Sequence, residues 1–503
     1  MKKRYITTFA TIFFFSGLFV VLFSPSTSPI SPFFYGGDSA YFQSDGRVWA
    51  DGYIPYKDFF DHKGPILLFI HMIAYCTPYP RYILCFIQTV FLGLFFCSEY
   101  VFLKHETEKN KYKGVIAIIL MIASGLYIAI TMEEGNNTEL YCLAPCFIPL
   151  WKEISWLRSD QAEHSIKYAF LDGVCLGVIF LINAKNALPL CLAILIIFFV
   201  LVFRKRITNL VFNLASGLLG IFIVFLTFCI YFMLNNALYD MMYATFLFNF
   251  KYVLTGNAYK KSMYKLIVLS LPQILVFFSS LAGMFFSQKG NKKNVCFNIC
   301  VAIISLITEC YFISGMTFKH YFLTGAVFIP VVIMLTGDCK GMGQVFLNII
   351  IFLFTAICCL TFLTHTIAWY SDIYSEEKMT DNKSRIEKLE YFSSLIPDDK
   401  RDKVFVYQSS CNELYAVTDL CPVQRFPYIT EFLEYVDPEI KEEVMNSFET
   451  MSPEYVITGL VVDTDIKSLL DEKYEILHED NLPRVDSGIK ENDYLCLYVL
   501  KKE

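Results

Sequence analysis

Residues 36–65 read GGDSAYFQSDGRVWADGYIPYKDFFDHKGP. The stretch carries Asp38, Asp45, Asp51, Asp58 and Asp61 together with Arg47, Lys57, His62 and Lys63. Charges sit readily in any hydrated connection. A plain linker, however, gains nothing from the Trp, Tyr and Phe side chains packed between them. Gly52, Pro55, Gly64 and Pro65 divide the stretch into defined turns. It reads as a folded, functional loop.

What flanks the loop decides the fold. Lys2, Lys3 and Arg4 precede an apolar run over 5–23, too long for a signal peptide and without an A-x-A-like cleavage site. It is expected to stay as an anchor whose start lies inside, which puts a first outer loop at 24–65. Behind the loop, 66–79 (ILLFIHMIAYCTPY) is too short to cross a bilayer core, which needs about 20 apolar residues, and it ends in a Pro-containing turn. It is expected to lie flat on the outer surface as an interfacial helix. Further long apolar runs follow at 80–103, 115–132, 140–156, 168–183, 187–203, 208–232, 265–287, 295–313, 321–338 and 345–369. With the anchor they make about eleven spans.

The positive-inside rule tests this count independently. Segments assigned to the cytoplasm carry Lys104, Lys109, Lys111 and Lys113, then Lys152, Arg158 and Lys167, then Arg204, Lys205 and Arg206, then Lys289, Lys292 and Lys293, and finally Lys340. Counting 66–79 as a span would flip every later loop. The expected topology is a multi-pass protein with a cytoplasmic N-terminus and an extracytoplasmic C-terminus.

Composition agrees. Of 503 residues, 55% are hydrophobic and 18% charged, where a soluble domain runs near a quarter charged. The net charge of -6 averages two unlike parts: from residue 370 onward stand 30 of the 48 acids and 15 of the 42 bases. Disordered and collagen-like classes are excluded, and so is a nucleic-acid partner, because no basic patch is interleaved with aromatics. In the acidic tail, VFVYQ, YVITGL and YLCLYVL read as strands, and segments near 431–447 and 463–474 as amphipathic helices. The fold class is therefore an α-helical polytopic membrane protein, its membrane part spanning 1–369, with a small extracytoplasmic α/β domain at 370–503. Most of the 17 cysteines lie in apolar runs; a Cys411–Cys421 bridge is one option in an oxidising compartment.

GGDSAYF followed by DGYIPYKDFFDHKGPI resembles the first extracytoplasmic loop of GT-C glycosyltransferases, in the bacterial branch grouped with protein mannosyltransferases and the lipid A aminoarabinose transferase. The likeness extends to the many spans and the C-terminal domain. It implies a glycosyltransferase of the bacterial plasma membrane, multi-pass and working on the outer face. A sugar would pass from a polyprenyl-phosphate donor to a lipid, glycan or protein acceptor, with inversion. Asp38 matches the family's first-loop carboxylate, and such a group can take or orient the acceptor proton. Ser39 departs from the Asp-Glu pair of many relatives, so a second carboxylate must come from elsewhere. Glu139, in TMEEGNNTELYCLAP with Glu133 and Glu134, matches the acidic position of the second outer segment, and an acid at a span's mouth is usually functional. Lys63, Lys185, Lys319 and His320 are candidates to hold the donor phosphate, with Tyr41, Asp58, Asp61 and His62 supporting the loop.

Glu309 lies in an apolar run without an evident partner, while His71 and His365 read as packing residues. No G-x-x-x-x-G-K-[ST], G-x-S-x-G or H-E-x-x-H motif occurs. No cofactor or metal is expected, although the loop carboxylates could hold a divalent ion. The rival from another class is a transporter or lipid-linked glycan flippase, which predicts charges spread through the spans and paired half-helices.

Overall fold

Runs this apolar leave the backbone one way to satisfy its N–H and C=O groups in lipid, and the chain takes it. The computed structural model describes residues 2–31, 37–108, 111–255, 263–286, 292–314, 317–335, 341–407, 409, 411–428, 430–460, 464–483 and 493–501. Lys109, Lys289 and Lys340 lie outside the described residues. Among those described, seven helices are long and apolar enough to cross a membrane: Tyr5–Phe23, Pro80–Thr107, Gly114–Thr131, Ile166–Phe203, Ile207–Leu234, Lys293–Ser314 and Met342–Ile373. The protein is a multi-pass membrane protein. The other expected spans are also helical but shorter or more polar: Thr138–Arg158, Leu271–Phe286, and Lys319–Phe328 continued by Val332–Leu335. Ile166–Phe203 contains two expected spans, joined by a single 3-10 turn at Ala184–Ala187.

The chain divides into two units. The first comprises Met1–Phe23, Phe86–Phe228 and Asn257–Ala368. Many of its large apolar side chains face outward, among them Phe14 at 70% and Phe222 at 56% exposure. Water would penalise that; hydrocarbon does not. Inside, Tyr127 donates its hydroxyl to the carbonyls of Leu269 (2.6 Å) and Phe322 (2.8 Å). Lys319–Phe328 winds as 3-10 rather than α-helix, a tighter form ordinarily used in short pieces. Helices Ile166–Asn183 and Ile207–Leu234 cross with backbones touching, because a Cβ on Gly173 would collide with the Gly217 carbonyl.

The second unit comprises Ser24–Cys85, Cys229–Gly256 and Trp369–Glu503. Its sheet has four strands, β1 (Val404–Tyr407), β2 (Tyr455–Thr458), β3 (Tyr474–Leu482) and β4 (Asp493–Leu500), in the order β1-β2-β4-β3. β1 and β2 run parallel, the other pairs antiparallel. Helices Thr430–Val436 and Glu439–Met451 form the crossover that a parallel pair requires. Every residue of β1 and β2 is buried, which is why both read as unbroken apolar runs. Arg385, on helix Glu376–Ser394, binds Glu413 and, at 2.7 Å, Asp493, so one buried cation ties helix, loop and β4 together. Cys411 and Cys421 are not bridged to one another.

The loop of residues 36–65 packs within this second unit. Helix Gly37–Ala50 lies against helix Pro65–Tyr75 so closely that Gly46 has no room for a Cβ beside His71. His71 is fully buried, with Nδ1 2.8 Å from the Leu67 carbonyl, as a packing residue should be. Arg47 donates to the carbonyls of Tyr415 (2.9 Å) and Leu420 (2.7 Å), Ser44 to that of Asn412 (2.6 Å), and the Phe60 amide to that of Arg425 (2.7 Å). The loop is thus built into the tail's fold.

Candidate functional site

The expected residues fall into two clusters, one in each unit. In the first unit, Met132 to Asn137 form a strained turn in which Glu133 and Asn136 take φ of 51° and 57°. Side chains other than glycine adopt the left-handed region rarely, and usually where surrounding contacts insist on it. Asn137 donates to the Met132 carbonyl (2.5 Å), Tyr141 donates to Asn136 Oδ1 (2.6 Å), and the Asn136 amide donates to Gln88 Oε1 (3.2 Å). So held, Glu133 places Oε2 2.6 Å from His320 Nδ1.

Helix Thr138–Arg158 begins directly after this turn and puts Glu139 in its first turn, where the helix dipole favours an acid. Glu139 is fully buried. Its Oε1 lies 2.9 Å from Lys185 Nζ, and Oε2 accepts from Thr138 Oγ1 at 2.9 Å. Asn183 in turn donates to Thr138 Oγ1 (3.0 Å), and Thr324 donates to Asn186 Oδ1 (2.8 Å). The short 3-10 turn between two apolar helices therefore delivers Lys185 with polar residues on both sides. The ammonium sits over the Tyr321 ring, and the His320 ring stacks on Phe318 at 5.8 Å. Lys319, half-buried, starts the same 3-10 segment. Glu139, Lys185 and His320, read separately from the sequence, stand in one group with Glu133, and Lys319 adjoins His320 in the chain.

In the second unit, Asp38 occupies the first turn of helix Gly37–Ala50 and is exposed. Tyr41 donates to the Phe60 carbonyl at 2.6 Å, clamping the start of the loop to its end. Asp58 accepts from the Ile54 amide (2.6 Å) and fixes a turn. Asp61 Oδ1 accepts from the Lys63 amide (2.9 Å), and Lys63 Nζ donates to His62 Nε2 (2.8 Å). Lysine is a donor only, so that imidazole nitrogen is unprotonated.

One group here escaped the sequence reading as a site. Asp45, only 3% exposed, faces Asp61, 2% exposed, and shares a hydrogen bond with it. Burial is the largest cause raising both carboxyls above the ordinary range, and the neighbouring Asp61 charge raises Asp45 further. The Lys63 ammonium and amide act the other way on Asp61. Both carboxyls are thus pushed toward the protonated form, Asp45 the more strongly. The sequence signal was a five-Asp loop; which two would meet lay in the packing of helix Gly37–Ala50.

Glu309 has a partner after all, since Ser270 Oγ donates to it. A second missed group, Glu153, His164 and Asp172, lies at the far end of helix Thr138–Arg158.

No protein-family model matches the chain, and no curated protein matches it. Among solved structures, the crystal structure of ArnT from Cupriavidus metallidurans, bound to undecaprenyl phosphate, is similar, with a TM-score of 0.56 and 10% identity. The superposition covers 99% of this chain and 98% of that one. The chain has the GT-C fold. At 10% identity the likeness rests on architecture, with spans, first loop and C-terminal sheet all inside the matched length. That agrees with the GT-C resemblance of the loop motif, which was read from different information.

Proposed function

We propose that the protein is a lipid-linked glycosyltransferase of the bacterial plasma membrane, working on the outer face. The observation that carries the reading is the GT-C fold over nearly the whole chain, shared with an ArnT bound to undecaprenyl phosphate. The motif order of the first loop and the charged group around Lys185 support it. The donor is a polyprenyl-phosphate sugar and the acceptor a hydroxyl on an envelope lipid, glycan or protein. The acceptor oxygen attacks the anomeric carbon, the bond from that carbon to the phosphate oxygen breaks, and the sugar inverts. The acceptor proton passes to a carboxylate, and polyprenyl phosphate leaves as the anion.

Asp38 is the carboxylate proposed to take or orient that proton. Its exposure suits a group that must meet an incoming acceptor. Glu139 is a poorer base, because its ion pair with Lys185 holds it in the charged form. Its proposed part is to fix Lys185 in position. Lys185, Lys319, His320 and Lys63 then offset the growing phosphate charge, an effect of several kcal/mol where water is excluded. Glu133 keeps the His320 ring oriented through Nδ1. The topology follows the charge bias of the sequence, with helix Pro65–Tyr75 lying at the membrane surface and the sheet-bearing tail outside.

The test is sugar transfer in membranes loaded with a labelled polyprenyl-phosphate sugar. Asp38→Asn is expected to reduce kcat at least 100-fold with little change in donor KM. His320→Gln is expected to raise donor KM and reduce kcat about 10-fold. Full transfer by Asp38→Asn would remove the proposed acceptor role. Lipid or solute flux without any glycosylated product would favour the flippase reading instead.

A further inference from the structure

Fourteen residues along the helix from Glu139, at 1.5 Å per residue about 21 Å away, the same helix ends in a second buried polar group of different character. Glu153 is fully buried, and His164 and Asp172 are each 4% exposed. One potential ligand atom from each lies within 4.8 Å of the other two. They come from the helix Thr138–Arg158, the connection after it, and the helix Ile166–Asn183. They face a cavity of about 140 Å³ whose remaining lining is aliphatic, aromatic or glycine apart from Asn213, with no lysine or arginine.

The orientation of the imidazole is settled by its neighbours. Asn213 Nδ2 donates to the carbonyls of Asn209 (2.7 Å) and His164 (3.3 Å), so its Oδ1 is the atom 2.7 Å from His164 Nδ1. An amide oxygen only accepts; Nδ1 therefore carries the hydrogen. Nε2 is left facing the carboxylate of Glu153, 2.8 Å from one oxygen and 3.1 Å from the other. An imidazole that donates from one nitrogen to a carbonyl and turns the other toward carboxylates is arranged as metal-ligating histidines are. Asp172 Oδ1, buried in the same cavity, takes no N–H or hydroxyl donor among the described residues, and the Asp172 carboxyl meets that of Glu153.

We propose that Glu153, His164 and Asp172 bind one divalent transition-metal ion of the zinc class. Bound to an ion, the two carboxylates and a neutral imidazole would contribute two negative charges in apolar surroundings, in place of the His164–Glu153 contact that joins them otherwise. A divalent ion brings the sum to zero. One nitrogen and two oxygen donors suit zinc or its first-row neighbours better than calcium or magnesium, which prefer oxygen alone. Tetrahedral zinc with bonds of about 2.0–2.1 Å needs ligand atoms about 3.3 Å apart, so loading opens the 2.8 Å His164–Glu153 contact and brings in any pair that lies farther apart. Solvent completes the set. The ion clips the end of one helix to the start of the next, which is a structural role and stands independently of the glycosyltransferase reading.

Full-length protein in detergent, stripped with chelator, re-equilibrated with zinc chloride and gel-filtered, should retain one zinc per chain by mass spectrometry. Asp172→Asn and His164→Gln should each lower retained zinc at least 10-fold, and both should lose the zinc-dependent rise in melting temperature. X-ray absorption of the loaded wild type should show nitrogen and oxygen ligation with an imidazole and no sulfur. That measurement needs no variant, so a variant that fails to fold leaves the proposal testable. Absence of retained zinc in the wild type, sulfur ligation, or full retention by both well-folded variants would overturn it.

Discussion

Replacing Asp45 by asparagine should stabilise the protein progressively as pH rises. In the folded state, burial and the neighbouring carboxyl push Asp45 of the Asp45–Asp61 pair toward its protonated form. In the unfolded chain, an aspartate with an ordinary pKa of about 3.9 releases that proton above pH 4. The folded state thus binds more protons than the unfolded one, and stability falls as pH rises, by about 1.4 kcal/mol per unit. The fall stops where pH passes the raised folded pKa of Asp45. If that lies above neutrality, the accumulated cost at pH 7 reaches at most about 4 kcal/mol. Asparagine keeps an N–H donor toward Asp61 and carries no titrating proton, so Asp45→Asn removes the slope. Apparent melting temperatures of wild type and variant in detergent, measured from pH 5 to 8, give the comparison. The difference should grow in favour of the variant with pH, by roughly 2 °C for each kcal/mol at the low end of the usual scale. A pH-independent offset added to that growing difference reflects a slightly altered contact. Parallel curves, or a gap widening in favour of the wild type, would refute the protonation of Asp45.

Two further outcomes follow from buried pairs. Glu139→Gln and Lys185→Met should each cost about 3 kcal/mol by leaving a partner's charge uncompensated, whereas the double variant should cost clearly less than their sum; additive melting-temperature losses would show that the pair is not coupled. Arg385→Met strands Glu413 and Asp493 in the second unit and should cost about 3–5 kcal/mol, read as faster proteolysis of the tail beyond residue 376 with the membrane part intact.

The apolar framework was legible because membrane-length runs carry their own signal, and charge bias supplied an independent check on the order. Even Thr138–Arg158, with Glu139, Lys152, Glu153 and Arg158, was readable as helix through the apolar residues between them. The strands β1, β2 and β4 showed as apolar runs for the same reason. β3 did not, because most of YEILHEDNL is exposed and polar, whereas the other edge strand, β1, is buried throughout. The helical stretch Leu238–Leu254, with a π-turn at Tyr243–Phe248, also went unread; its aromatic side chains serve local packing without a clean helical period. At the site, the charged motifs announced themselves one by one. Their pairings did not, since the 3-10 turn brings Lys185 to Glu139, and the loop brings Asp61 to Asp45, only through tertiary packing. The group of Glu153, His164 and Asp172 was invisible for a further reason: its members stand 11 and 8 residues apart on three elements, a spacing that matches no metal motif.

The two ends of helix Thr138–Arg158 show how sign can distinguish their ligands. At its N-terminus, the positive end of the dipole, Glu133 and Glu139 are already answered by His320 and Lys185, with Lys319 beside them. Another cation there would meet ammonium groups and a positive helix end, whereas a phosphate would be attracted by both. At the C-terminal end the dipole is negative, Glu153 and Asp172 lie together, and no lysine or arginine lines the cavity. An anion there would face two carboxylates; a divalent cation would neutralise them. The same helix is therefore suited to opposite partners at its two ends, and exchanging the proposed ligands between them would be opposed electrostatically at both.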